Sequence, residues 1–409
     1  MTWGETAELR GVWLVALGQT TGYVAQTFSF AALIVALTDP ATGAGLARTT
    51  LAAGPTLGLA VAALLAPFAG RQVDRGLGAA LLVAGPVVSA LGLALASQAA
   101  GNAALWLAAF AVVGLGQATT QFETCFALLT RRLGAGARPA ILRVTLVAGF
   151  STTLAFPLGE GLAQAFGWQG ALLALAAGQG LVTLPLNLAG TRRMGAEAGP
   201  AGGAADGGKA GGGSVRAALA TAAFWQLAGL IGLVWLNHAV LTTFALPVLM
   251  ERGAAHDTAI LVAALLGPAQ VAGRVLLIFA GERLTLRATL LWVLGGFAAG
   301  AALLLAGKGV PAAWFLYALV QGVAAGIVSI LRPLVAAEVL GQRGFGAVWG
   351  VLSVAPLSAQ AAAPVLGALI LGAGGGRAVV AAALIMAVAA LALGLRLAPR
   401  LAAARAGEP

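Results

Sequence analysis

The chain has 409 residues, of which 60% are hydrophobic and only 9% charged, with a mean hydropathy of +0.96. Soluble domains carry about 25% charged residues, so a water-soluble globular protein is excluded and an all-α polytopic membrane protein, with the lipid bilayer as its main partner, is expected. The formal charge of +10 comes without a Lys/Arg run interleaved with aromatics, which removes nucleic acid as a partner, and a single cysteine and two histidines leave no disulfide framework or metal site.

Apolar blocks able to cross a hydrocarbon core of about 30 Å recur at 11–37, 49–69, 78–98, 103–129, 139–162, 168–189, 217–246, 257–279, 288–306, 311–336, 346–371 and 377–397. Twelve transmembrane helices are therefore predicted. The first block follows Glu5, Glu8 and Arg10 and has no basic n-region or cleavage site, so it reads as a retained span. Its Gln19, Thr20, Tyr23, Gln26 and Thr27 recur at helical spacing, a stripe that either lines a cavity or glues helices together. Pro157, Pro247, Pro356 and Pro364 are expected to break helices locally and permit bending.

Between Thr191 and Ser214 the chain turns Gly/Ala-rich and loses its apolar period. This predicts a flexible cytoplasmic linker, 191–216, between an N-terminal six-helix bundle, 1–190, and a C-terminal one, 217–409. Weak internal similarity supports two pseudo-symmetric halves. Asp74-Arg75 matches Glu282-Arg283 208 residues on, and Gly134 and Pro157 match Gly341 and Pro364 207 residues on.

With the N-terminus inside, the inner loops hold Arg71, Arg75, Arg131, Arg132, Arg138, Arg192, Arg193, Lys209, Arg216, Arg283, Arg287 and Arg343. The outer loops hold only Arg48, Arg252, Lys308 and Arg377. This asymmetry follows the positive-inside rule and predicts a multi-pass protein of the bacterial inner membrane with both termini cytoplasmic.

An arginine inside a bilayer helix costs at least about 2.5–3.5 kcal/mol on insertion scales and must face protein or a water-filled cavity. Arg274, in the eighth span, has a planar fork suited to a carboxylate, and Gln270 lies one turn before it on the same face. Either Arg274 contacts substrate or it pins span eight to a neighbouring carboxylate or helix end. Glu123, read as lying well inside span four among Thr119, Thr120, Gln121 and Thr124, is a proton carrier, a partner for Arg332 in span ten, or a packing polar group. His238, beside Asn237 in span seven, is a titratable cavity residue or a hydrogen-bonded packing group. There is no Walker loop, nucleophile elbow or HExxH, so neither ATP-driven transport nor an enzyme is expected, and no cofactor.

The twelve-span pattern and the segment from Gly70 through Asp74-Arg75 to Gly78 resemble the major facilitator superfamily, whose loop after span two carries a G-x-x-x-D-R-x-G-type signature. Leu77 stands at the last glycine's usual place and Gly78 follows it. The resemblance implies the major facilitator fold, with Asp74 and Arg75 as a latch that breaks as the halves rock. Arg131-Arg132-Leu133, Gly149 to Pro157-Leu158, Phe166-Gly167-Trp168 and Gly267-Pro268 to Gly273-Arg274 are similar to the monocarboxylate and oxalate:formate antiporter branch. That similarity implies Arg274 as the carboxylate-engaging arginine. Gln270 stands where the branch has an acidic residue, and Gln cannot titrate.

A secondary transporter is therefore expected, moving a small organic anion, most simply a monocarboxylate, by alternating access with protons, and working as a monomer. Arg274, Gln270, Gln19, Tyr23, Asn237 and His238 are the substrate-binding candidates. Glu123, Arg332, Asp74 and Arg75 are those for proton coupling or gating. The alternatives are an efflux carrier of the same fold for drug-like compounds, whose G-P-x-x-G-G signature is replaced here by Phe156-Pro157-Leu158-Gly159-Glu160, and a non-transporting membrane sensor or scaffold.

Overall fold

A computed structural model describes residues 3–133, 137–195, 216–280, 285–340, 348 and 351–403, and every regular element among them is helical. Two compact units divide the chain, Met1–Ala201 and Gly202–Pro409. The first contains α1 (Trp3–Gln26), α2 (Ser29–Leu37), α3 (Arg48–Gln72), α4 (Gly78–Ser97), α5 (Ala103–Thr120), α6 (Phe122–Leu133), α7 (Ala137–Ala148), α8 (Ser151–Gly178) and α9 (Leu184–Arg193). The second contains α10 (Ala222–Thr243), α11 (Ala245–Glu251), α12 (His256–Ala280), α13 (Leu286–Ala306), α14 (Pro311–Leu340) and α15 (Val354–Ala403). Most of the predicted linker lies outside the described residues, although α9 carries the helix through Arg193.

Ten helical stretches are long and apolar enough to cross a bilayer, and two of them run 55 residues (Pro139–Arg193) and 48 residues (Val354–Leu401). At 1.5 Å per residue an unbroken helix of that size would reach about 70–80 Å, more than twice the hydrocarbon thickness. Neither is unbroken. Gly167 has φ 68°, and Gly375 has φ 65° beside Gly374 at φ −151°, so each stretch is two helices joined at a break. Ten stretches with these two divided give twelve apolar helical segments among the described residues, matching the twelve blocks of the sequence.

Left-handed glycines mark the internal repeat more sharply than the sequence features did. Gly45 and Gly253 (φ 67° and 100°), Gly101 and Gly309 (68° and 73°), and Gly167 and Gly375 (68° and 65°) are each 208 positions apart. The hydrogen bond from Gly101 N to Ala44 O, 2.8 Å, recurs from Gly309 N to Arg252 O at 2.8 Å, again 208 apart. Buried Trp106 and Trp314 are separated by the same offset. Both units thus use one backbone plan, with the same loops tied together at one end.

Small residues let the helices approach within each unit, as expected where hydrophobic burial gives little drive between helices already in lipid. A Cβ on Gly114 of α5 would fall 2.3 Å from Gly58 O of α3, and one on Gly326 of α14 would fall 2.0 Å from Gln270 O of α12. Apolar cores close around these crossings, with Val15, Leu82, Leu128 and Val144 in the first unit and Leu227, Leu294, Phe297 and Val328 in the second. Leu64, Phe279 and Trp292 are exposed, as suits side chains facing lipid.

Two of the four prolines stand at interior breaks, with Pro247 after Phe244 and Pro356 after Ser353, each in the first turn of the next helix, while Pro157 and Pro364 sit inside continuous helix. The chain also leaves helical geometry at Thr27-Phe28 and Gln121, where no proline stands. Neighbouring polar side chains, absent from any local pattern, complete the backbone at these two.

Candidate functional site

In the first unit the breaks of spans one and four are joined by one polar network. Thr27 N and Phe28 N both donate to Tyr23 O at 3.0 Å, so α1 opens at its end and leaves carbonyls to be satisfied from elsewhere. Gln117 Nε2 donates to Gln26 O at 2.7 Å, Gln179 Nε2 to Thr21 O at 3.3 Å, and Ser151 Oγ to Thr20 O at 3.3 Å. At the second break, Gln19 Nε2 donates to Thr120 O at 2.6 Å and Thr124 Oγ1 to Ala118 O at 2.7 Å. Side chain bonds complete it, with Gln26 Nε2 to Gln179 Oε1 at 3.0 Å, Thr120 Oγ1 to Gln26 Oε1 at 3.1 Å and Gln121 Nε2 to Thr27 Oγ1 at 2.6 Å. Discontinuous helices braced in this way are the membrane form of a polar ligand site.

The span-one stripe divides between the two roles left open for it. Gln19 is buried and its amide nitrogen braces Thr120 O, so it holds two helices together. Tyr23 is half-buried, its ring 4.6 Å from that of Phe122. Glu123 departs from its expected setting. The break at Gln121 places it in the first turn of α6 with an exposed side chain, not midway along an unbroken helix.

In the second unit Arg274 is 7% exposed in the interior of α12, and its Nε donates to Ser329 Oγ of α14 at 3.3 Å. Ser329 Oγ in turn donates to Gly326 O at 2.6 Å. The close approach that Gly326 permits between α12 and α14 therefore sets the position of the guanidinium. Gln270 is half-buried one turn before Arg274. On α14, Arg332 places its guanidinium 5.0 Å from the Trp235 ring centroid, a cation–π distance. The His238 ring lies edge-on to Trp235 at 6.1 Å and to Phe297 at 6.4 Å.

Asn237 is fully committed to packing. Its Nδ2 donates to Ala383 O at 2.7 Å and its Oδ1 accepts from Gln321 Nε2 at 2.8 Å, with the side chain completely buried. These bonds rivet α10 to α14 and α15. Asn237→Leu is expected to orphan the Gln321 amide and to cost about 1–3 kcal/mol, read as a lower melting temperature of the purified protein.

Arg75 is exposed in the π-helical turn Val73–Leu77, where Gly76 at φ 88° reverses the chain between α3 and α4. The Asp74 side chain and the Gly281-Glu282-Arg283 echo lie outside the described residues. Ser329, Trp235, Gln117 and Gln179 were not singled out from sequence. Ser329 lies three residues before Arg332 and Trp235 three before His238, a helical spacing that offered the only signal for either.

No protein-family model matches the chain, and no curated protein does. Its architecture is found in solved structures. A bacterial homologue of the human lysosomal transporter Spinster, inward-facing and unoccupied, aligns with a TM-score of 0.67 at 16% identity over 99% of this chain and 98% of that one. The occupied inward-facing form aligns at 0.62 and 16% identity, over 100% and 98%. The nucleoside transporter NupG aligns at 0.68 and 12% identity, over 96% and 99%. The chain thus shares the all-α fold of these solved transporters over 96–100% of its length, at 12–16% sequence identity.

Proposed function

We propose that the protein is a secondary carrier that moves a small organic anion, a monocarboxylate in the first instance, across a bacterial inner membrane by alternating access coupled to protons. In this reading both termini are cytoplasmic, the bundles 1–190 and 217–409 are joined by the linker 191–216, and one chain suffices. The carrying observation is Arg274, a guanidinium only 7% exposed within a membrane-crossing helix. Retaining such a charge in a span costs several kcal/mol, and a bidentate hold on a carboxylate is the chemistry best matched to its fork. Gln270 and Tyr23 supply neutral polar contacts, Glu123 carries the proton, and Arg332, Asp74 and Arg75 serve gating. Anion and proton together cancel the net charge that occlusion would otherwise bury.

Export of drug-like compounds is the second reading, favoured by the aromatic group of Trp235, His238 and Phe297. Two of the aligned proteins are a nucleoside transporter and a homologue of a lysosomal transporter, and they extend the panel of compounds to be tried. Proteoliposomes with an imposed pH gradient separate the readings. Gradient-driven uptake of a carboxylate supports the first, whereas flux of hydrophobic compounds alone replaces it with the second.

Glu123→Gln is expected to abolish gradient-driven accumulation while sparing carboxylate exchange between equal pH compartments, because Gln keeps the shape and cannot titrate. Equal loss of both activities would remove Glu123 from coupling and return it to packing.

A further inference from the structure

The end of the second unit where its loops are tied together carries a concentration of charge that its fold does not require. A cavity of about 400 Å³ there is lined by Glu251, Arg252, Leu305, Lys308, Gly374 and Arg377. Three cations and one carboxylate leave two net positive charges. Of the four basic residues assigned to the outer loops, three meet in this cavity, so the sparsely charged face of the protein has gathered most of its cations at one point.

The first unit supplies an internal control. It has the same left-handed glycines 208 positions earlier and the same hydrogen bond between loops, from Gly101 N to Ala44 O. The residues standing 208 positions before Glu251, Arg252, Lys308 and Arg377 are Gly43, Ala44, Ala100 and Gln169, none of them charged. The backbone plan therefore forms without the charges.

Two of the four have partial structural duties. Arg252 Nη2 donates to Leu305 O near the end of α13, and Glu251 Oε2 accepts from Gly376 N where the second half of α15 begins. Those bonds leave much of the group unaccounted for. Arg252 is 5% exposed, and its Nε is buried with no hydrogen-bond partner among the described residues. Lys308 and Arg377 make no hydrogen bond or ion pair among the described residues, and Glu251 pairs with none of the three cations. Burial together with the like charge of Arg377 pulls the Arg252 pKa below its ordinary value, as crowding of unneutralised cations dictates.

We propose that Arg252, Lys308 and Arg377 form a binding site for a phosphate group, either free or on an anionic lipid headgroup. The exposed Lys308 ammonium and Arg377 guanidinium provide donors at the cavity beside the buried Arg252 charge, and the excess of two positive charges matches a phosphate better than a singly charged carboxylate. The site lies in the loops of the second unit, stands apart from Arg274, and does not depend on the transport reading.

The test uses the purified full-length protein and the double variant K308Q/R377Q, which leaves the bonds of Glu251 and Arg252 in place. Inorganic phosphate is titrated calorimetrically at constant ionic strength, with chloride as the balancing anion. In parallel, retention of phosphatidylglycerol against phosphatidylcholine is measured in mixed vesicles. Saturable phosphate binding that weakens at least tenfold in the double variant, at unchanged melting temperature, supports a site for free anion. Phosphatidylglycerol retention lost in the variant, without free phosphate binding, supports the same site with lipid as its source. R377E is expected to lose binding beyond either neutral substitution. Identical behaviour of wild type and both variants in the two arms overturns the proposal.

Discussion

Arg274→Ala is expected to raise the concentration of carboxylate needed for half-maximal uptake about a hundredfold. A charge-assisted hydrogen bond is worth about 1.5–3 kcal/mol, and about 2.7 kcal/mol corresponds to that factor. Arg274→Lys keeps the charge and loses the fork, so about a tenfold effect is expected from the missing second bond. Its competitor is a purely structural arginine that pins α12 to α14 through Ser329, whose hydroxyl lies 3.3 Å from Nε. The two separate in a thermal-shift experiment. For a substrate contact, the stabilisation conferred by added carboxylate disappears in Arg274→Ala while the melting temperature without ligand changes little. A lower ligand-free melting temperature with the carboxylate shift intact would assign Arg274 to packing.

The second large effect is expected at Gly326→Val. A Cβ at this position would sit 2.0 Å from Gln270 O and 2.8 Å from Gln270 C, both backbone atoms that cannot rotate away. The helices α12 and α14 must then part, carrying Arg274 from Ser329 as they do. Overpacking of a close interior costs about 1–3 kcal/mol, and more where backbone is the obstacle. Loss of folded protein is the expected outcome for valine, and a folded but transport-deficient protein for Gly326→Ala. Gly295 of α13 provides the control, since a Cβ there meets nothing within 4 Å. Its replacement by alanine is expected to be neutral or to add up to about 1 kcal/mol through helix propensity. If Gly326→Ala melts and transports like wild type, the crossing of α12 on α14 is looser than the backbone geometry requires.

These two positions differ in how visible they are before folding. Arg274 announces itself, because a charge within an apolar block is expensive wherever the chain goes. Gly326 does not. The sequence holds 59 glycines, and only the approach of α12 separates this one from Gly295, which faces open space.

The helix breaks follow the same division. Turns at Gly101 and Gly167 were legible as gaps between apolar blocks, whereas Thr27-Phe28, Gln121 and Phe244 sit inside blocks that composition reads as continuous. Their backbone can leave helical geometry in an apolar solvent only if other groups take up the released hydrogen bonds. Gln117 does so for Gln26 O of α1 from 91 residues along the chain, so no local window contains both the break and its remedy. The setting of Glu123 was not legible for this reason, because its helix restarts one residue before it. The packing bonds of Asn237 were hidden likewise, because its partners Ala383 and Gln321 are 146 and 84 residues away.

By itself the sequence determined the solvent, the number of crossings and the existence of two related halves. Each is set by transfer free energy summed over about 20 residues at a time, a quantity that needs no knowledge of neighbours. Tertiary structure alone decided which polar side chains are tied to which carbonyls. That outcome depends on which donor meets which carbonyl across helices distant in the chain, and on glycines that let those helices come close enough to meet.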